Sequence, residues 1–181
     1  MQYIKEGFLP TLGIRFLTLL YEAIDKDLNS TLIVSKKDDK VIGFVSGSSN
    51  LSSVYKKLLM NFPRLIITIL PSILNPKKMY KIFEIFLINA RYKKQIDIIL
   101  PKAELLSIVV QTDYQGQGVA ENLFVELCNY FKNIGHKSFR IAVGESLNKA
   151  HAFYKKQGAF VLGEMEVHKG KNSIIYEKRI L

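Results

Sequence analysis

The sequence predicts an α/β domain, a sheet with helices packed on it. Three observations lead there. After residue 102 the chain reads as strand, helix, strand, helix, strand and strand in succession. A hairpin of two apolar strands precedes that series over residues 31–46. The 181 residues form a single domain, large enough by its size to bury about 70% of its extended surface.

The elements follow in order. Within residues 8–24 the apolar positions Phe8, Leu12, Phe16, Leu19, Leu20 and Ala23 recur at three and four. That spacing predicts an amphipathic helix, or two short ones, ending before Asp25-Lys26-Asp27. Residues 31–35 read as a strand, 36–40 as a polar turn carrying Asp38-Asp39, and 41–46 as the hairpin partner. Pro63, Pro71 and Pro76 then cut an apolar, basic stretch into pieces, with helices expected at 51–61, 64–70 and 77–92. Pro101 closes this insertion. Beyond it, 103–110 is an apolar strand and 111–115 a polar loop. Residues 116–132 form a helix whose apolar stripe is Val119, Ala120, Leu123, Phe124, Leu127, Cys128 and Phe131. Gly135 ends it as a left-handed residue would. A strand at 138–143, a helix at 148–157 stopped by Gly158, and strands at 160–167 and 173–179 joined by a turn complete the chain.

Composition excludes several classes. A hydrophobic fraction of 48% with 23% charged residues describes a globular protein, not a disordered or collagen-like one. Cys128 has no partner for an intramolecular disulfide, and with His136, His151 and His168 it offers no zinc spacing. No metal is expected, and a reducing, cytoplasmic address is. Lys5, Glu6, Pro10 and Arg15 interrupt the start, which lacks the pattern of a signal peptide. No run reaches the ~18 uncharged apolar residues of a spanning helix.

The net charge of +10 is concentrated in residues 51–102, which hold ten basic side chains against Glu84 and Asp97. Lysines outnumber arginines 21 to 5, whereas base readers lean on the bidentate guanidinium, so nucleic acid is not the favoured partner. The insertion suits an acidic ligand, an anionic membrane surface, a partner protein, or simply a solvated cap.

The chemistry concentrates in Val110-Gln111-Thr112-Asp113-Tyr114-Gln115-Gly116-Gln117-Gly118-Val119-Ala120, which leaves a strand and opens a helix. Two glycines let backbone approach a ligand, and the helix start adds unpaired N–H groups, an arrangement suited to phosphate or pyrophosphate. A dinucleotide fingerprint fails because its third glycine falls on Glu121 and no acid follows about 20 residues on. A Walker loop fails because no Gly-Lys-Ser/Thr follows.

Here the sequence resembles the GNAT superfamily of acetyl-CoA-dependent N-acetyltransferases. Gln115-Gly116-Gln117-Gly118-Val119-Ala120 follows that family's first signature, and Ala150-His151-Ala152-Phe153-Tyr154-Lys155-Lys156-Gln157-Gly158-Ala159 its second, 36 residues separating Gly118 from Tyr154. The likeness covers 31–50 and 103–181. Two departures stand out. Leu147 occupies a position where the family usually has Asn, with Asn148 displaced by one, and the seven residues before Phe8 are short for the family's usual first strand.

The resemblance implies a mixed, mostly antiparallel sheet flanked by helices, with the insertion before the central strand. It implies that the strands at 103–110 and 138–143 splay, and that pantetheine hydrogen-bonds to the backbone of Ile108, Val109 and Val110. The pyrophosphate would rest on the N–H groups of Gln115, Gly116, Gln117, Gly118, Val119 and Ala120, with Asn148 as a neighbouring amide. A backbone N–H near Val109 would meet the oxyanion. Tyr154 would return a proton to the thiolate, and Glu104 or Glu145 would serve as base through water. A core tyrosine and a solvated strand-end carboxylate are the competing readings of Tyr154 and Glu104. The three histidines read as surface residues, Ser107 lacks a His–Asp pair to make it a nucleophile, and Cys128 reads as core. The expected activity is transfer of an acetyl group from acetyl-CoA to a primary amine, on an amino sugar or other small molecule. Two alternatives stay open: an acetyl-CoA-binding sensor or scaffold without catalysis, and a protein N-acetyltransferase. Homo-oligomerisation is left open.

Overall fold

Six strands form one sheet in the order β1-β2-β3-β4-β6-β5. The computed structural model describes residues 13–60, 100–168 and 171–180. The helices expected at 64–70 and 77–92, and any strand before the first helix, lie outside those residues. Among the described residues the elements are α1 (Ile14–Asp25), β1 (Ser30–Lys37), β2 (Lys40–Ser48), α2 (Leu51–Met60), β3 (Ala103–Val110), α3 (Val119–Asn133), β4 (Ser138–Gly144), α4 (Asn148–Lys156), β5 (Phe160–His168) and β6 (Lys171–Arg179). Every neighbouring pair is antiparallel except β3 and β4.

The hairpin is tighter than the polar pattern suggests. Asp38 and Asp39 both take positive φ (+48° and +59°), and Lys37 pairs with Lys40. Two left-handed residues make the turn whose twist matches the strands, and Asp tolerates that region better than most. Both strands therefore run further than 31–35 and 41–46. The helix expected from 116 starts only at Val119, because Gly116 and Gly118 have positive φ (+75° and +80°) and cannot lie within it.

β2 shows how the faces separate. Gly43, Val45 and Gly47 face α3, while Phe44, Ser46 and Ser48 face α1. A methyl on Gly47 would sit 2.7 Å from Leu127 Cδ1 and 2.8 Å from Phe131 Cζ, so α3 lies directly on the strand. The α3–α4 face holds the larger core, with Phe124, Leu127, Phe131, Phe139 and Ile141. On the other face Phe16, Leu20, Ala23 and Ile24 of α1 pack with Val54 and Leu58 of α2.

Asp27, buried in the α1–β1 connection, holds this second layer together. Its carboxylate accepts hydrogen bonds from Ser30 Oγ (2.9 Å), Ser53 Oγ (2.8 Å) and the Asn29 N–H (3.1 Å), with Lys57 Nζ at 3.6 Å. α3 and α4 close as expected, on Gly135 (φ +84°) and Gly158 (φ +73°). No helix among the described residues is long and apolar enough to cross a membrane.

Candidate active site

The parallel contact between β3 and β4 is only three pairs long: Ala103 with Phe139, Glu104 with Arg140, and Leu105 with Ile141. Beyond it the strands part. The cause lies on the other side of β3, where Leu105 pairs with Gly47 and Ser107 with Ser46, leaving Leu106 as an extra residue. A bulge of this kind bends its strand and raises the local twist. It also turns Leu106 and Ser107 to the same side, where Leu106 joins the α1–α2 core and Ser107 meets Tyr21. Residues 107–110 keep β2 on one edge, and among the described residues 106–110 have no ladder partner on the other.

Hydrogen-bond direction identifies which peptide groups face that gap. Gln111 donates its N–H to Ile42 O at 2.8 Å. In an antiparallel ladder the direction alternates along the strand. The peptide groups of Ile108 and Val110 therefore turn to the gap, while that of Val109 turns to Phe44. The Val109 N–H, expected from the sequence near an oxyanion, therefore faces β2, and those of its two neighbours face the gap.

β3 ends in a loop anchored at both flanks. Gln111 Nε2 donates to Val41 O (2.6 Å), Gln115 Nε2 to Val110 O (3.2 Å) and Gln117 Nε2 to Asp113 O (2.8 Å). The amides of Gln115 and Gln117 thus shape the loop itself. The Gln115 N–H is occupied by Thr112 O, and the first helical bond of α3 is Asn122 N–H to Gly118 O. Among the described residues, no backbone N–H from Gly116 to Glu121 meets a backbone acceptor. The free donors therefore begin one residue later than the sequence suggests, and they take in Glu121. A Cβ placed on Gly116 or Gly118 would meet nothing within 4 Å, so the space beside the loop is open at both glycines. Such a run of N–H groups at a helix start suits an anion. The Glu121 carboxylate, which would oppose one, has Lys156 Nζ 3.5 Å away.

Tyr154 points from α4 into the α3-side core. It is 5% exposed, and its ring lies 6.0 Å from Phe124, 5.2 Å from Phe153 and 6.3 Å from Tyr176. Burial raises its pKa well above the ordinary phenol value. His151, one turn earlier, is more than a surface residue. Its Nδ1 is 2.9 Å from Tyr176 Oη and its Nε2 3.1 Å from Gly144 O. Because a carbonyl only accepts, Nε2 carries a proton, and in the neutral ring Nδ1 accepts from the Tyr176 hydroxyl. The ring therefore ties α4 to the open end of β4. Leu147 caps α4 and packs on the core, while Asn148 is exposed.

Glu104 lies at the paired end of the gap. Arg140, its register partner, donates to Oε2 through Nε (3.1 Å) and Nη2 (2.6 Å), and through Nη1 to Pro101 O (3.3 Å). Both ion-pair contacts fall on Oε2, and among the described residues Oε1 has no hydrogen-bond partner. Glu145 is exposed after β4, with its carbonyl 3.3 Å from His151 Nε2. Neither the role of Arg140 nor His151's partners are legible in the sequence, since both depend on strand register and tertiary contact.

A model of the acetyltransferase (GNAT) family matches residues 84–159. No curated protein matches. Among solved structures, the ribosomal-protein-S18-alanine N-acetyltransferase from Escherichia coli is similar at 15% identity and a TM-score of 0.52, over 88% of this chain and 75% of that one. PaiA N-acetyltransferase from Thermoplasma acidophilum, in complex with coenzyme A, is 18% identical at 0.54, over 91% and 69%. An aminoglycoside 6'-N-acetyltransferase complexed with coenzyme A is 13% identical at 0.54, over 88% and 77%. At these identities the likeness is one of fold.

Proposed function

We propose that this chain, which matches a model of the acetyltransferase (GNAT) family over residues 84–159, moves an acetyl group from acetyl-CoA to a primary amine. The observation that carries the reading is the gap between β3 and β4, which runs from the bulge at Leu106 to a loop of unused N–H groups between Gly116 and Glu121. A pantetheine arm fits as an added strand along Ile108 and Val110, and a pyrophosphate fits against the open glycine loop. The bound thioester supplies the activated acyl group, and the chain's residues do the rest. A gap-side N–H of Ile108 or Val110 meets the charge that develops on the acyl oxygen. Glu104 accepts the amine's proton at Oε1 through a water, its other oxygen fixed by Arg140. Tyr154, kept protonated by burial, gives its proton to the departing thiolate.

The acceptor is a small molecule in this reading, with an amino sugar as one candidate. Similar structures include enzymes named for a ribosomal protein and for aminoglycosides, so fold does not choose between protein and small-molecule acceptors. The Glu104–Arg140 pair favours one further reading, binding of acetyl-CoA without transfer, because it occupies half of the carboxylate. Thiol release from acetyl-CoA over a panel of primary amines and N-terminal peptides separates the three. Release with a small amine supports the proposal, release with peptides alone supports a protein acceptor, and binding without release on any acceptor supports the sensor.

A further inference from the structure

We propose that Ser107 and Tyr21 form the docking point for the acceptor's amino group, on the face of the sheet that α1 covers. This deepens the transfer reading and rests on it. Ser107 is the first residue past the bulge, where β3 has lost β4 as a neighbour. Its hydroxyl lies 2.8 Å from Ser46 Oγ and 3.1 Å from Tyr21 Oη. Ser46 is fully buried, and either hydroxyl of each pair can donate. A serine oxygen has one hydrogen and two lone pairs. Run head to tail from Ser46 or from Tyr21, the three hydroxyls polarise one another. In either order Ser107 keeps one lone pair for an amine N–H.

The approach is one-sided. Phe124, Phe153 and Tyr154 fill the α3–α4 face, whereas Tyr21 and Ser107 on the α1 side are only half-buried, so the proposed approach is from that side. There Tyr21 meets Phe44 edge to face at 5.2 Å, next to Leu106. Among the described residues, neither Tyr21 nor Ser107 meets a carboxylate. A wall of this kind fits a single amine on an apolar or aromatic carrier better than a polyamine.

The test uses the full chain with 2-phenylethylamine and spermine as probes. Ser107→Ala should raise KM for the amine roughly tenfold, the worth of one hydrogen bond, and lower kcat as alignment is lost. Tyr21→Phe should shift both in the same direction by less, and Ser107→Thr, which keeps the hydroxyl, should restore most of the loss. Acetyl-CoA affinity should be unchanged throughout. A fall in melting temperature with KM and kcat unchanged would make the cluster structural and overturn the proposal. Tyr21→Phe reads the same chain of hydroxyls should Ser107→Ala fail to fold. Faster transfer to spermine than to 2-phenylethylamine would overturn the carrier class. A parent that binds acetyl-CoA and turns over no amine would instead defeat the transfer reading, and this inference with it.

Discussion

A phenol that hands a proton to a thiolate must still hold that proton at working pH. Tyr154 meets the condition through burial alone, which raises its pKa above a reference of about 10. A raised phenol pKa keeps the neutral form dominant across the whole neutral and mildly alkaline range. Ionisation of Tyr154 therefore should not shape the rate profile in that range. Tyr154→Phe should lower kcat by the ~10²–10⁴-fold usual for loss of a general acid, with the shape of the rate profile unchanged below about pH 10. Acetyl-CoA affinity should hold, because the ring still packs on Phe124 and Phe153. Unchanged turnover with a modest loss of melting temperature would return Tyr154 to the core. At this scale the sequence was informative where chemistry depends on local order. Gly116, Gly118 and Tyr154 sit in runs whose spacing carries the meaning. Arg140 and His151 were not legible, because Glu104 and Tyr176 reach them only through strand pairing and helix packing.

The element that matters most is the bulged strand β3. Its span, 103–110, is as the apolar run predicts, yet nothing in Leu105-Leu106-Ser107 announces an extra residue. The bulge arises from register against β2, a long-range property. Hairpin length escaped for a related reason, since Lys36, Lys37 and Lys40 read as turn residues but pair as strand. Gly47 lies just past the strand expected at 41–46, yet it is a place where α3 sits directly on the sheet. Gly47→Ala should cost about 1–3 kcal/mol by overpacking against Leu127 and Phe131. Gly116→Ala meets open space and should cost only its left-handed strain, about 1–2 kcal/mol. Urea unfolding of both variants checks the difference. Equal losses would mean that α3 shifts freely and that close contact does not position the glycine loop.

Over the whole molecule, charge and site are set by different parts of the chain. Residues 51–102 hold most of the +10 net charge, and the gap, the glycine loop and Tyr154 all lie beyond them. Reversing Lys77, Lys78 and Lys81 to Glu should weaken binding to anionic vesicles or to an acidic acceptor, and added salt should do the same. No binding by the parent at low salt would leave those lysines as a solvated surface. The central claim is that the gap and its glycine loop hold acetyl-CoA, and calorimetric titration of the folded chain with acetyl-CoA tests it most directly. Gly118→Ala and Gly118→Glu share the strain of a positive φ at that residue (+80°), but only the second puts a carboxylate into the open cradle. The account requires saturable binding by the parent, binding largely retained by Gly118→Ala, and binding abolished in a folded Gly118→Glu. Equal affinity of parent and Gly118→Glu, or no binding by the parent, would contradict it.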